Sequence, residues 1–215
     1  MNSYLSKFID HTNLKPEATS AEIEKLCKEA VDNEFATVCV NASRVSLAEK
    51  LLQGSGVGIA TVVGFPLGAT TMACKVFEAV EAVKNGATEI DMVINVGKLK
   101  DKDYQYVSDE IAKIVVECGV PVKAILETCK LTKEEIVIAT KLAVEAGVAF
   151  VKTSTGFGGG GATEEDVRLM KANCGSALVK ASGGIRDFET AQKMIDAGAS
   201  RLGTSSGIEI AKGAK

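Results

Sequence analysis

The sequence is poor in the residues from which zinc centres and disulfide scaffolds are built. Histidine occurs once, at position 11, and none of the six cysteines forms a Cys-x-x-Cys pair. Zinc sites draw most of their ligands from grouped histidines and cysteines, so this pattern gives a zinc site little support. A chain of 215 residues can bury a core without disulfides, so we expect free thiols in a reducing cytoplasm. A magnesium ion held by carboxylates stays open on these grounds.

Blocks of charge and long apolar runs are also missing. The 25 basic and 28 acidic residues give a net charge of −3, which disfavours nucleic acid as the main partner. No apolar run approaches the roughly 20 residues that cross a membrane, and the first residues lack the apolar core of a signal peptide. With 46% hydrophobic and 25% charged residues, the composition is typical of a soluble globular protein. We therefore expect one domain over residues 1–215, a cytoplasmic location, and no nucleic-acid or membrane partner.

Helix-like and apolar strand-like segments alternate along the whole chain. Glycines that suit a helix end recur at intervals of roughly 30 residues, about the size of one strand plus one helix. Eight strands are predicted at 8–14, 36–41, 58–65, 89–95, 121–127, 149–155, 177–182 and 201–205. The clearest helical patterns are 20–32, 70–84, 103–118, 132–146, 163–173 and 187–197. Ser20 is the predicted start of the first helix, and Thr132 with Glu135 forms a capping box at another.

Strict alternation of strand and helix implies a parallel sheet. Eight units without a linker, several with strands apolar on both faces, favour an α/β fold in which a single domain forms a (β/α)8 TIM barrel. The alternative is an open doubly wound sheet. That fold usually carries a Gly-rich turn after its first strand, and this sequence has none.

Alternate residues of a barrel strand face inward, which brings charged side chains of neighbouring strands together. The predicted inward set on four successive strands is Asp91, Lys123, Glu127, Lys152 and Lys180. A Lys123–Glu127 ion pair could simply fill the barrel, and we weigh this equally with a functional role. Two amines, Lys152 and Lys180, beside one acid leave surplus positive charge that packing alone does not justify. An amine near another cation loses its proton more easily and can then attack a carbonyl, so this group favours catalysis.

Glycine-rich loops follow the last three predicted strands. The loops Gly183–Arg186 and 203–207 lie where barrels often bind phosphate through backbone N–H groups, although each could be only a tight helix cap. The run 156–161 could be a mobile lid, a phosphate-side loop or a plain flexible connection. From the residues alone, His11 and Cys39 are best explained as core residues.

Five motifs together resemble the deoxyribose-phosphate aldolases, a family of class I aldolases, over nearly the whole chain. The motifs are at 9–14 (IDHTNL), 89–95 (EIDMVIN), 151–157 (VKTSTGF), 179–186 (VKASGGIR) and 203–206 (GTSS). The resemblance implies reversible cleavage of 2-deoxy-D-ribose 5-phosphate to D-glyceraldehyde 3-phosphate and acetaldehyde. It also implies a barrel fold, no metal and no organic cofactor.

The resemblance also implies roles for residues of this chain. Lys152 would form the Schiff base, Lys180 would depress the pKa of Lys152, and Asp91 would shuttle protons. The residues expected against substrate or phosphate are Asp10, Thr12, Cys39, Thr155, Gly156, Gly183, Gly184, Gly203, Ser205 and Ser206. The partners would be a sugar phosphate and small aldehydes, and apolar helix faces on the barrel exterior would suit a homodimer.

Two positions depart from the pattern of some members of that family. Position 157 is Phe where they have a lysine that contacts phosphate, which shifts phosphate affinity towards backbone N–H groups, serines and Arg186. The segment 208–215 has no tyrosine, so proton transfer would depend on Asp91, Lys180 and water. The alternatives are another Schiff-base barrel enzyme, such as a transaldolase or a longer-sugar aldolase, and a phosphosugar-binding barrel without catalysis.

Overall fold

The computed structural model describes residues 4–214, in which eight parallel strands form a closed barrel. The predicted domain ends, at residues 1 and 215, lie outside this range. The strands are β1 Ile9–Asn13, β2 Thr37–Val40, β3 Gly58–Val63, β4 Glu89–Val93, β5 Val122–Ile125, β6 Phe150–Lys152, β7 Leu178–Ser182 and β8 Arg201–Thr204. Neighbours in sequence are neighbours in the sheet, and β8 closes the barrel by pairing Leu202 with Ile9 of β1. The predicted TIM barrel is confirmed, and the open sheet is wrong.

The helices surround the barrel. They are α1 Ser20–Asp32, α2 Val45–Leu52, α3 Met72–Lys84, α4 Val96–Lys100, α5 Tyr104–Cys118, α6 Lys133–Glu145, α7 Glu164–Asn173, α8 Phe188–Asp196 and α9 Gly207–Gly213. The six helices predicted from the sequence are all present, within two residues at each end. The other three have eight, five and seven residues, too few for a clear helical period. Within residues 4–214, no helix combines the length and apolarity that crossing a bilayer requires.

Side-chain caps fix where the helices begin. Thr132 Oγ1 accepts a hydrogen bond from the N–H of Glu135, and the Glu135 carboxylate accepts one from the N–H of Thr132, as the capping box predicts. The predicted start of α1 at Ser20 is confirmed, and the residue before it is the cap. Thr19, not Ser20, has the extended backbone of a cap, and Glu22 completes the box with it. Ser20 is already the first helical residue.

The buried apolar residues form two clusters, one between the strands and the helices and one inside the barrel. Strand residues that face outward, such as Ile90 and Met92, join the large core beneath the helices. Inside the barrel, Cys39, Ala60 and Val62 form a small separate apolar cluster with Leu14. This cluster covers only the side of the lumen formed by the first three strands. The opposite side is therefore left to the charged residues of the later strands.

Candidate active site

Asp91 is the centre of the charged side of the lumen. One oxygen of its carboxylate accepts a hydrogen bond from Lys123 Nζ at 2.8 Å. The other accepts from Lys152 Nζ at 2.7 Å and from Lys180 Nζ at 2.8 Å. The register explains this convergence, because Asp91 is paired with Lys123 across β4 and β5, and Lys152 with Lys180 across β6 and β7. The structure thus brings together all three predicted catalytic residues.

A second set of ion pairs closes the group into a ring. Lys180 also contacts Asp10, and Asp10 accepts from Arg201 at 2.5 Å. Arg201 lies 3.2 Å from Glu89, and Glu89 lies 2.5 Å from Lys123, which returns to Asp91. We call these six residues the charge ring: Asp91, Lys180, Asp10, Arg201, Glu89 and Lys123. The ring alternates three cations with three carboxylates, so it is formally neutral. Lys152 is the surplus cation, attached to the ring only through Asp91.

The ring sets the ionisation of its members. Burial alone would lower the pKa of Lys180, but the carboxylates of Asp10 and Asp91 outweigh it and raise that pKa. Burial would raise the pKa of Asp91, but Lys123, Lys152 and Lys180 hold it well below its usual range. Burial would also raise the pKa of Asp10, but the neighbouring cations, Lys180 first, outweigh it and lower that pKa to about 2. Asp10, Asp91 and Lys180 therefore keep their charges at neutral pH.

Lys152 behaves differently from the other lumen lysines. Burial lowers its pKa, and although Asp91 acts in the opposite direction, the neighbouring ammonium of Lys180 adds to the lowering. The pKa of Lys123 moves the other way, because Asp91, Asp10 and Glu89 outweigh burial and raise it. Lys152 is therefore the lysine of this group with the greatest tendency to become a neutral amine, which is the form that attacks carbonyls.

Lys152 also faces an open cavity of about 260 Å³ at the carboxyl-terminal mouth of the barrel. The wall residues are Thr12, Leu14, Lys15, Lys152, Thr155, Gly156, Phe157, Ser182, Gly183, Gly184, Ile185, Arg186, Gly203, Thr204 and Ser205. No ring residue is among them. The ring lies beneath the cavity, and Lys152 is the charged residue that joins the two.

Glu127 leaves the lumen instead of pairing with Lys123. Strand β5 ends at Ile125, and Glu127 has a left-handed backbone with φ of 58°. This turn breaks the alternation of faces and directs the carboxylate towards the loop after β6. There it accepts hydrogen bonds from Thr155 N at 3.1 Å and Thr155 Oγ1 at 2.5 Å. The predicted Lys123–Glu127 ion pair is therefore wrong, because Lys123 binds Asp91 and Glu89.

The glycine run after β6 is packed against other loops. A Cβ on Gly161 would lie 2.3 Å from the carbonyl oxygen of Gly183, and one on Gly160 would lie 2.5 Å from Cys129 Cβ. Ala162 N donates to the same Gly183 oxygen at 3.0 Å. The run needs glycine because its backbone touches the loop after β7. The end of the run packs against the loops after β5 and β7, and its beginning, Gly156 and Phe157, lines the cavity.

A profile of the DeoC/LacD family of aldolases matches residues 5–213. The chain belongs to this aldolase family. It is 59% identical over 97% of its length to deoxyribose-phosphate aldolase 1 of Mesoplasma florum, covering 96% of that protein. It is 57% identical to deoxyribose-phosphate aldolase of Thermococcus kodakarensis, with 98% and 96% of the two chains covered. The tetrameric deoxyribose phosphate aldolase of Aeropyrum pernix has a TM-score of 0.90 at 31% identity, with 97% and 89% covered.

Most of the residues expected to bind substrate in this aldolase line the cavity. They are Thr12, Thr155, Gly156, Gly183, Gly184, Gly203 and Ser205. Gly203 has a further function, because a Cβ there would lie 3.0 Å from Lys180 Cε and 2.9 Å from Ser182 Cβ. Glycine at this position leaves the space through which Lys180 reaches the ring.

Three expected substrate contacts do not line the cavity. Asp10 is fully buried in the charge ring, where its carboxylate is taken by Lys180 and Arg201. Cys39 is fully buried in the small apolar cluster, and burial raises the pKa of its thiol. Ser206 lies at the start of α9, with its N–H donating to Thr204 Oγ1 at 2.9 Å. Asp10 thus contacts Lys180 instead of the cavity, and Cys39 packs among apolar side chains.

Three residues of the ring or the cavity wall were not predicted from the sequence, namely Glu89, Arg201 and Lys15. Glu89 has the same strand parity as Asp91, and Arg201 the same parity as Gly203, so both face the lumen and complete the ring. Lys15 follows β1 and reaches the cavity wall. Within residues 4–214, no three His, Cys, Asp or Glu side chains are grouped in a way that could hold a metal ion.

Proposed function

We propose that this aldolase reversibly cleaves 2-deoxy-D-ribose 5-phosphate to D-glyceraldehyde 3-phosphate and acetaldehyde, with Lys152 as the Schiff-base residue. The observation that carries the proposal is the position of Lys152. Its amine is the surplus cation of a buried charged group, its pKa is lowered by burial, and it opens into the cavity. Named relatives at 57–59% identity support the substrate.

The first step is attack of the neutral Lys152 amine on the C1 aldehyde of the open-chain sugar. The resulting carbinolamine loses water, which requires a proton for the departing hydroxyl. Asp91 and the Lys180 ammonium, 2.8 Å apart, lie next to the reacting nitrogen and can pass this proton. The product is an iminium ion, whose positive charge lies close to the Asp91 carboxylate and is stabilised by it.

The second step breaks the C2–C3 bond, because acetaldehyde retains C1 and C2. The C3 hydroxyl gives up its proton through water to the Asp91–Lys180 pair, and C3 becomes the aldehyde of glyceraldehyde 3-phosphate. The electron pair of the broken bond moves towards the iminium nitrogen and forms an enamine on Lys152. Protonation of C2 and addition of water then release acetaldehyde and the free amine.

The phosphate end of the substrate would lie across the loops after β7 and β8. Gly183, Gly184, Gly203 and Ser205 line this part of the cavity, and Gly183 and Gly184 both have positive φ. Such backbone lets N–H groups approach an anion closely. This position also leaves room for the sugar aldehyde to reach Lys152.

The proposal extends to the setting of the enzyme. The family match over 5–213 supports one catalytic domain across residues 1–215. The free cysteines of the described residues are compatible with a reducing cytoplasm, and the net charge of −3 gives no reason for a nucleic-acid or membrane partner. A homodimer is the proposed assembly, since Phe77 and Val116 are exposed apolar residues on the neighbouring helices α3 and α5.

Borohydride reduction in the presence of 2-deoxyribose 5-phosphate tests the site and the chemistry together. We expect a stable adduct on the peptide that contains Lys152, found by mass spectrometry, and none in a Lys152→Met variant. An adduct on a different lysine would retain the chemistry and move the site. Failure to form any adduct, with no acetaldehyde released, would reject the proposed function.

A further inference from the structure

The cavity holds cationic side chains that the Schiff-base chemistry does not use. Among the residues that line it, Lys15 and Arg186 are basic in addition to Lys152. Both are exposed, and neither has a carboxylate within ion-pair distance among residues 4–214. By contrast, every cation of the charge ring is matched by carboxylates. The cavity therefore has unmatched positive charge at its rim, which an anionic part of a substrate would neutralise.

Lys15 and Arg186 approach from opposite sides of one strand. Lys15 follows β1 and Arg186 follows β7, while β8 lies between β7 and β1 in the closed barrel. The end of β8 supplies Gly203, Thr204 and Ser205 to the same cavity wall. An anion placed over the end of β8 would thus have one cation on each side.

The backbone of Lys15 is held in place. Its N–H donates to Asn13 Oδ1 at 3.3 Å, and its carbonyl accepts from Asn41 Nδ2 at 3.4 Å and from Ala18 N at 3.1 Å. Pro16 follows and restricts the local backbone further. A fixed backbone lowers the entropy lost when the long side chain of Lys15 binds a ligand.

Glu22, an acidic residue close enough to interact electrostatically with Lys15, already has hydrogen-bond donors. The charge of Lys15 contributes to the lowered pKa of Glu22, although hydrogen bonds from Thr19 contribute more. Glu22 accepts from Thr19 N at 2.8 Å and from Thr19 Oγ1 at 2.9 Å in the capping box of α1. The Lys15 ammonium is therefore left available to the cavity.

The part of the cavity rim formed by the loop after β6 is apolar, because it carries Phe157. Its ring meets Phe65 edge-on, with centroids 5.3 Å apart, and it lines the cavity without carrying charge. The positive charge of the rim is thus confined to the side formed by β7, β8 and β1. The loop after β6 contributes an apolar wall to the cavity, and the loops after β1 and β7 contribute positively charged side chains.

We propose that Lys15 is a specificity-determining residue that binds the phosphate of the substrate from the β1 side, opposite Arg186. A phosphate monoester carries a charge of about −1.5 to −2 near neutral pH, so two cations match it. Lys15 thereby selects phosphorylated over unphosphorylated sugars without taking part in the bond-breaking steps. This inference rests on the proposed function for the identity of the sugar, and on the cavity alone for the binding of phosphate.

The first test is binding of glycerol 3-phosphate, which has no carbonyl and cannot form a Schiff base. Calorimetry would compare the wild type with Lys15→Gln, Lys15→Arg and Lys25→Gln. Lys25 is the matched control, because it is an exposed lysine of the neighbouring helix that pairs with Glu29 at 3.8 Å. We expect Lys15→Gln to weaken binding by roughly tenfold, the loss of one partly exposed charged hydrogen bond. Lys15→Arg should restore most of it, and Lys25→Gln should leave it unchanged.

The second test compares two substrates by acetaldehyde release. Lys15→Gln should raise KM for 2-deoxyribose 5-phosphate by about tenfold with little change in kcat, and leave kcat/KM for 2-deoxyribose unchanged. Equal losses for the two sugars, or equal effects of Lys15→Gln and Lys25→Gln, would overturn the inference. If the wild type released no acetaldehyde, the proposed function would fail, and glycerol 3-phosphate binding would still decide the role of Lys15.

Discussion

Residues 4–214 contain buried lysines in the barrel lumen and beneath the helices, and those two regions differ in their access to the cavity at the mouth of the barrel. Lys152 lies in the lumen, 3% exposed, and Lys75 lies between the barrel and helices α3 and α5, fully buried. Burial is the largest cause of a lowered pKa in both. Lys75 Nζ lies 2.9 Å from a carboxylate oxygen of Glu110 and 2.8 Å from the carbonyl oxygen of Val93. A buried amine with a lowered pKa is therefore not by itself a nucleophile.

The difference lies in charge balance and access. Lys75 has Glu110 as its own carboxylate, whereas Lys152 shares Asp91 with two other lysines. Lys152 lines the cavity, and Lys75 donates to the end of β4, the strand that carries Asp91. Glu110 also accepts from Asn95 N at 3.2 Å. The Lys75–Glu110 pair is thus a brace that holds the β4 end in position, and the lumen lysine is the proposed reactive group.

The largest effect is expected from replacing the lumen lysine. Lys152→Met should lower kcat by a factor of about 10⁴ or more, because among residues 4–214 Lys152 alone has an amine that contacts Asp91 and lines the cavity. The fold should be retained, since the variant removes the surplus charge and leaves the neutral ring intact. Acetaldehyde release and thermal unfolding would measure the two quantities. Substantial turnover in this variant would show that Lys152 is not the nucleophile, so that it would not differ in function from Lys75.

Replacing the brace lysine should affect stability instead. Lys75→Met leaves Glu110 buried without a cation, which we expect to cost about 3–5 kcal/mol of unfolding free energy. Borohydride trapping on Lys152 should persist in the folded protein, in contrast to the first variant. Urea unfolding measures the loss, and the double variant Lys75→Met with Glu110→Leu should recover most of it. A stable single variant would show that the pair is not a brace.

The pH profile should separate Lys180 from Lys123 within the ring. Lys180 is an ammonium that lowers the pKa of Lys152, so Lys180→Leu should raise that pKa. The rising limb of kcat/KM, which follows the neutral amine, should then move to higher pH. Lys123→Leu is the matched control, because Lys123 binds the other oxygen of Asp91 and should displace the limb less. Identical displacement in the two variants would contradict specific coupling between Lys152 and Lys180.

The smallest effect is expected from a position that touches neither lysine. Thr132→Ala removes the cap of α6 and should cost about 1 kcal/mol of unfolding free energy. Trapping and the pH profile should be unchanged, which gives the baseline for reading the other variants. A change in trapping or in the pH profile of Thr132→Ala would mean that even a small loss of stability alters the reactivity of the lumen lysines.

The sequence predicted the barrel and the convergence of charged residues in its lumen because both depend on simple periods. Alternation of strand and helix predicts the fold, and a period of two places Asp91, Lys152 and Lys180 on one face. The prediction failed where that period stops. Glu127 follows the end of β5 and itself has a left-handed backbone conformation. Its place in the alternation of strand residues therefore no longer predicts which way its side chain points.

Other features depend on distances between distant segments, which periodicity does not contain. The closed ring needs Arg201 of β8 to reach both Asp10 and Glu89, from the first and fourth strands. The packing of Gly161 on Gly183 likewise depends on how two loops meet. Asp10 was expected against substrate, but its position beneath the cavity depends on the register of β8 with β1.

The closed circuit of ion pairs also limits how this protein can be altered. Each member of the charge ring has two oppositely charged neighbours within the ring, so removing any one of these charges leaves two partly matched charges in the interior. A designer who wishes to change the lumen must therefore replace residues in matched pairs. The residues at the rim of the cavity, Lys15, Phe157 and Arg186, are not members of the ring, so each can be substituted singly. Substrate range is thus open to stepwise engineering, while the amine chemistry is held fixed.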